Sequence, residues 1–410
     1  MKITDIEIIP IRPRLYDRNR TRGREIRFSG INQRTIFKVH TDNGLVGYGD
    51  LRCAAPPRSA VESLIGCSPF DFVHSDFNPG LGGALYDVMG KHLDVPAHKL
   101  MGQKVRDAVS CAAWTARSSP ADFAGEIKRA ALQGYRVCKM HTGTFYDVVE
   151  QTKAAEEVAP EGFRLHFDFN GIQSLSSLLA TIRELEDHPI VGYIEDPLPK
   201  KDLDGWCRLR DQVRIPLVFH VPLGFGGLYE LGAGVADTYL FSGMAVGETL
   251  ISGFACARAN TQTLLQLTGG TLTKAFALHI AAVLPTATGH SIHLDDQYAD
   301  DIVCERIPVK EGSSPVPEGP GLGIEVDEDA LAQLAADCPK VPEDLPRHVG
   351  IVRLPDGSRL YTSPIPPITQ MTGREEVRGI GMDLWEDDSS EKFEQIFQRL
   401  EKDGPFEVEE

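Results

Sequence analysis

The sequence predicts an α/β fold organised around a parallel (β/α) barrel, with a small α+β unit before it and an acidic appendage after it. Three observations predict this. From about residue 108 strand-like and helical segments alternate. Polar residues recur at the strand ends, at Lys139, Asp168, Glu195, His220, Ser242, Gln266 and His290, in steps of 22 to 29 residues. That is about the chain one βα unit consumes, so all of them can share the C-terminal face, where barrel enzymes place their chemistry. Ahead of the alternation, Thr35–His40, the turn Asp42-Asn43-Gly44 and Leu45–Gly49 read as an antiparallel hairpin.

The elements follow in order. Met1–Ile9 alternates like a strand and completes a sheet over residues 1–50. Tyr16–Gly30, with five arginines and two glycines, reads as a basic loop. Residues 59–102 read as helical up to the break at Val95-Pro96. Barrel strands are expected at Val109–Ala113, Val137–His141, Arg164–Phe169, Val191–Ile194, Pro216–His220, Thr238–Phe241, Thr263–Leu267 and Ser291–Leu294. The helices between them are Pro120–Gln133, Tyr146–Ala159, Ser174–Glu186, Lys201–Gln212, Thr249–Ala259 and Thr273–Val283. Residues 315–331 are rich in turns and lead into a short helix. Gly350–Thr362 reads as a hairpin, and Asp383–Glu410 as an acidic, partly helical cap.

Composition narrows the function classes. A chain of 410 residues, 42% apolar and 25% charged, has the balance of a globular protein with a sizeable core. The net charge of −17 disfavours nucleic acid and anionic membranes as partners, but not an anionic small molecule held by a local cation. No apolar run approaches the roughly 20 residues that span a bilayer, and the N-terminus lacks a signal-peptide core, so the protein reads as cytoplasmic. The eight cysteines form no CxxC pair and read as free thiols.

Two strand ends carry the chemistry. His166-Phe-Asp168-Phe-Asn170 closes one strand and Tyr193-Ile-Glu195-Asp-Pro closes the next. Carboxylates on adjacent strand ends can share a hard cation such as Mg2+. That cation would hold a substrate carboxylate and stabilise an enolate. The competing reading, helix N-caps in βα loops, suits either residue alone better than it suits the pair.

In the order of its motifs the sequence resembles the mandelate racemase and muconate lactonizing enzyme branch of the enolase superfamily. The motifs are the Met1–Pro13 strand, the Thr41–Gly49 hairpin, the Leu85–Gly102 helix, Asp168-Phe-Asn170, Glu195-Asp-Pro-Leu-Pro199, Leu278–Pro285 and Gly319–Leu331, spread over roughly residues 1–335. The resemblance implies a modified TIM (β/α) barrel with an N-terminal α+β capping domain. Its divisions would be a capping domain at 1–105, a barrel at 106–315, a return segment at 316–340 and a C-terminal extension at 341–410. It also implies a divalent metal, most commonly Mg2+, a small-molecule carboxylate substrate, a homo-oligomer, and removal of a proton α to the carboxylate.

Carried over by position, Asp168 and Glu195 match the first two metal ligands, and His220 stands at or beside the third, where the family has a carboxylate. An imidazole suits transition metals better than Mg2+. Lys139-Met140-His141 matches the base strand. Alternation turns 139 and 141 to one side, so Lys139 can neutralise the substrate carboxylate and His141 can take the proton. Ser242 and Gln266 replace the opposing Asp–His dyad, which disfavours a two-base racemase. His290, with His293, Asp295 and Asp296, is near the usual place of an acid. Arg24, in the basic loop with Arg20, Arg22 and Arg27, can fork onto carboxylate or phosphate. Asn170 and Gln266 are further substrate-binding candidates, Lys274 is expected to face solvent, and His279 reads as structural. Three functions follow: a dehydratase (lyase) of a sugar acid or other hydroxy acid; a one-base isomerase or epimerase; and a non-catalytic binding protein on a degenerate scaffold.

Overall fold

The structure is a computed structural model and describes residues 1–16, 31–142, 146–171, 173–221, 228–338, 347–362 and 381–408. The N-terminal sheet contains β1 (Ile3–Ile11), β2 (Arg34–Thr41) and β3 (Val46–Leu51), paired antiparallel in that order. One long helix, Pro79–Leu93, packs on it. Backbone lies directly on backbone there, because a Cβ at Gly49 would collide with the carbonyl of Gly80.

The helical stretch expected over residues 59–102 is corrected. Short 3-10 turns at Arg58–Ala60, Glu62–Leu64 and Pro69–Phe72 come before the single α-helix, and another follows at Ala97–Leu100. Prolines 69 and 79 set the punctuation. Each opens a helical turn behind a capping side chain, Ser68 and Asn78, and neither supplies the N–H that would continue a helix from upstream.

The barrel strands are β4 (Ala108–Thr115), β5 (Val137–His141), β6 (Arg164–Asp168), β7 (Val191–Glu195), β8 (Leu217–Val221), β9 (Thr238–Ser242), β10 (Gln262–Gln266) and β11 (Ser291–Ile292). All neighbours are parallel and β11 closes onto β4, so the architecture is a modified TIM barrel with a capping domain. β12 (Ser313–Pro315) adds an antiparallel edge to β4. The last barrel strand is two residues long, shorter than expected. A helix absent from the sequence reading, Leu228–Ala233, connects β8 to β9.

Two buried charge clusters tie the layers together. Arg34 of the capping sheet donates to Asp50, Nη2 to Oδ2 at 2.6 Å, and lies 3.2 Å from Asp301 near the barrel rim. Lys274, expected in solvent, is instead 1% exposed, 3.0 Å from Asp295, and donates to the Ile307 carbonyl. The Thr271–Val283 helix is buried on every face, so its one lysine has no route to water.

The C-terminal residues form a second antiparallel sheet, ordered β15 (Gly381–Glu386), β13 (His348–Arg353), β14 (Arg359–Thr362), β16 (Phe406–Val408). Helix Glu391–Asp403 buries Phe393 and Leu400 against it. No helix among the described residues is long and apolar enough to cross a membrane.

Candidate functional site

Four consecutive strands deliver the central side chains. In the sheet register His141 pairs with Asp168 and Asp168 with Glu195, which puts these residues level at the C-terminal rim. The backbone continues the zipper past the strand ends: Thr142 N–H donates to the Asp168 carbonyl and Phe169 N–H to the Glu195 carbonyl. Immediately beyond, Asn170 (φ 53°) and Asp196 (φ 42°) turn left-handed. Such backbone costs of order 1 kcal/mol per residue and clusters at functional sites. The Asn170 turn directs its own N–H onto Asp168 Oδ1 at 2.9 Å, which fixes that carboxylate.

Lys139 is the hub. Its Nζ is 3.1 Å from Asp168 Oδ2, 2.6 and 2.8 Å from the two oxygens of Glu195, and 2.9 Å from Gln266 Oε1, with no exposed surface. Burial alone would lower its pKa, but Glu195 and Asp168 outweigh that and raise it, so the ammonium is held charged. An ammonium has three N–H donors, and these contacts engage all three. Glu195 shows the reciprocal effect. Against burial, Lys139, His166 and His220 hold its carboxyl well below the usual range.

His141 stands at the mouth with its side chain 21% exposed, edge-on to Trp114 and 3.6 Å from Asp168 Oδ2. Burial, helped by Lys139 and Arg117, lowers its pKa to about 4 against the pull of Asp168. The ring is therefore neutral near pH 7. Asn170 Nδ2 contacts His141 Nδ1 at 3.2 Å and also donates to the Asp168 carbonyl. In this orientation the ring's N–H is on Nε2.

The residues fit a divalent cation. Glu195, Asp196 and His220 offer two carboxylate oxygens and an imidazole nitrogen within 4.8 Å of one another. Glu195 Oε2 is buried and receives no aligned hydrogen bond, although Lys139 and His166 Nε2 lie 2.6 and 2.7 Å away. Burial and the charges of Glu195 and Asp168 push Asp196 up to about 7, a crowding that a cation relieves. Asp168 is outside this trio, across the Lys139 ammonium.

The structure thus brings Lys139, His141, Asp168, Asn170, Glu195, His220 and Gln266 together. It does not bring His290 to the mouth. That residue lies one layer down, fully buried, its Nε2 2.7 Å from His166 Nδ1. His293 contacts the Leu267 carbonyl, while Asp295 and Asp296 pair with Lys274 and Arg129. Arg24 and its neighbouring arginines lie outside the described residues. His279 is buried beside His98, its Nε2 3.2 Å from the Leu322 carbonyl.

Sequence reading missed four residues, the first of them Asp196, which adjoins Glu195 and joins the cation cluster. His166 is two positions before Asp168 and so on the same side of its strand, a signal available in His-x-Asp. Lys200, four residues past Asp196, lies 3.2 Å from its carboxylate. Arg117 carries no motif, and only its place after β4 marks it. A cavity of about 630 Å³, lined by residues including Lys128, Gly134, Arg136 and Glu311, opens at the opposite, N-terminal end of the strands and shares no residue with this site.

Residues 122–220 and 248–330 match the family described as enolase C-terminal domain-like. Among solved structures, an N-succinyl Arg/Lys racemase from Bacillus cereus ATCC 14579 is similar at 20% identity and a TM-score of 0.69, over 82% of this chain and 98% of its own. A dipeptide epimerase from Cytophaga hutchinsonii, complexed with Mg and the dipeptide D-Ala-L-Val, is similar at 19% identity and a TM-score of 0.68, over 82% and 98%. A proposed dehydratase from Mesorhizobium loti is similar at 18% identity and a TM-score of 0.67, over 82% and 98%.

Proposed function

We propose that this chain, a divergent member of the enolase superfamily, removes the proton α to the carboxylate of a small hydroxy acid and expels its β-hydroxyl as water. The observation that supports this best is the convergence of His141, Asp168, Glu195 and His220 on the rims of four consecutive strands around one buried ammonium.

Glu195, Asp196 and His220 would hold a divalent cation, with Asp168 adding negative charge from across the Lys139 ammonium. When bound, the cation supplies positive charge where the enolate oxygen develops. The imidazole among the donors favours Mn2+ or a similar ion as much as Mg2+. Lys139 keeps Asp168 and Glu195 at fixed separation. His141 is the base. Turning the Asn170 amide so that Oδ1 accepts Nδ1–H puts the acceptor lone pair on Nε2, the atom that would take the α-proton. A base with a pKa of about 4 is weak, so the acidity of the α-carbon carries much of the burden. Across the mouth, Gln266 spends its oxygen on Lys139 and its amide N–H on Ser242, so among the described residues these two strand ends offer no base. One-sided proton chemistry suits a lyase. The proton that His141 removes is then available to the departing hydroxyl.

A second reading has one observation in its favour. With the Lys139 donors engaged and the His141 N–H turned toward Asp168, the same residues would serve a protein that binds a carboxylate without converting it.

The test is incubation of the protein in D2O with a panel of sugar acids and smaller hydroxy acids, with Mg2+ or Mn2+ present. Deuterium at the α-carbon or a 2-keto acid is expected, lost in His141→Ala. Asp168→Asn should weaken Mn2+ binding. A panel that binds without exchange or product would favour the second reading.

A further inference from the structure

Shielded arginines in this protein are answered by acceptors, apart from Nη1 of Arg34, which is buried without a partner. Arg34 meets Asp50 and Asp301. Arg129 meets Glu126 and Asp296. Arg106 reaches the carbonyls of Ala281, Leu284 and Pro285, and Arg306 those of Asp295, Tyr298 and Ala299. Arg117 departs from the pattern. Its Nε is buried without a hydrogen-bond partner, and among the described residues its guanidinium has no ion pair. Leaving a desolvated cation unpaired is costly, so native proteins pair such groups or present them to a ligand.

Its place in the barrel says which ligand. Arg117 is two residues past the end of β4, whose Trp114 lies edge-on to His141. In the closed sheet the order β4-β5-β6-β7-β8 puts Arg117 on one side of the mouth and the Glu195–Asp196–His220 cluster on the other. His141 and Asp168 stand between them. A guanidinium is matched by a planar oxyanion, which it grips with two parallel N–H bonds.

The geometry points to Arg117 as the binding residue for a second anionic group, a carboxylate at the far end of the substrate. The reacting carboxylate then lies toward Glu195, Asp196 and His220, and the α-carbon falls near His141. This inference rests on the proposed function for the placement of the reacting end. It narrows the substrate class to diacids. Burial lowers the Arg117 pKa to about 10, against the opposing influence of Asp168, so the guanidinium is still charged near pH 7.

The experiment measures binding, not turnover. Calorimetry with the full chain and Mn2+ compares matched pairs that differ by one terminal carboxylate: glucarate with gluconate, and malate with 2-hydroxybutyrate. In at least one pair the diacid is expected to bind at least tenfold tighter. Arg117→Met should abolish that preference while leaving monoacid affinity within about twofold, and Arg117→Lys should restore part of it. The melting temperature of Arg117→Met should equal or exceed that of the parent, because the substitution removes an unanswered buried charge. Equal affinity within both pairs, no binding of any member, a preference that survives Arg117→Met, or a clear fall in melting temperature would each overturn the assignment. α-Proton exchange, measured separately, tests the proposed function, so a diacid preference without exchange removes the reaction and keeps the site.

Discussion

Arg34 and Lys139 are each a fully buried cation between two acidic side chains, yet the clusters around them differ in completeness. Around Arg34, Nε donates to Asp50 Oδ1, Gly270 N–H to Asp50 Oδ2, Thr271 N–H and Oγ1 to Asp301 Oδ2, and Ile302 N–H to Asp301 Oδ1. Every carboxylate oxygen is answered from within the fold. Tyr298 adds its ring 4.9 Å from the guanidinium carbon. Around Lys139, Glu195 Oε2 and His166 Nε2 lack aligned partners, Asp196 is pushed up to about 7, and two rim residues are left-handed. The first cluster leaves only Nη1 of Arg34 without a partner, answers both carboxylates in full, and joins cap to barrel. The second keeps valences open, as a site for a cation and a substrate requires.

Substitutions can break this contrast, and the largest effect should be catalytic. His141→Ala should reduce α-proton exchange by about 10²–10⁴-fold, the usual worth of a general base, with little change in melting temperature because the ring is partly exposed. Exchange at the parental rate in that variant removes His141 from the mechanism. Next, Arg34→Met should cost about 3–5 kcal/mol in urea unfolding, since it leaves Asp50 and Asp301 buried and unpaired. Lys139→Met should cost a similar amount without metal. Added Mn2+ should recover part of that loss at Lys139 and none at Arg34. Equal behaviour of the two variants toward Mn2+ would erase the distinction between a structural cluster and a site.

A smaller effect concerns pH. His279 packs against His98 where the Ala97–Leu100 turn meets the barrel helix, and burial lowers its pKa from 6.5 to about 4. The unfolded chain therefore binds the proton first as the pH falls. The stability from keeping this ring neutral is complete above about pH 6.5 and is lost between 6.5 and 4, with a ceiling of about 3 kcal/mol. His279→Asn should flatten that part of the stability–pH curve, and an unchanged slope would assign the acid sensitivity elsewhere. At the low end, Lys153→Ala opens an exposed pair with Glu150 and should leave the urea-unfolding midpoint where it is, because solvent screens such a pair.

The sequence determined a good deal by itself. Alternating βα segments and regular polar strand ends predicted the barrel, because period and spacing are local properties of the chain. They put Lys139, Asp168, Glu195 and His220 on one rim before any contact was known, since consecutive parallel strands must end on the same face. Tertiary structure decided how those residues spend their hydrogen bonds. No local pattern says that the Lys139 ammonium turns inward onto Gln266, 127 residues away in the chain, that Lys274 is walled off from water, or that His290 sinks beneath the mouth onto His166. Those outcomes depend on which groups from distant segments reach the same point and on how much water remains there. For the same reason Arg117 carried no signal in the chain: what distinguishes it is the acceptor that the fold does not provide.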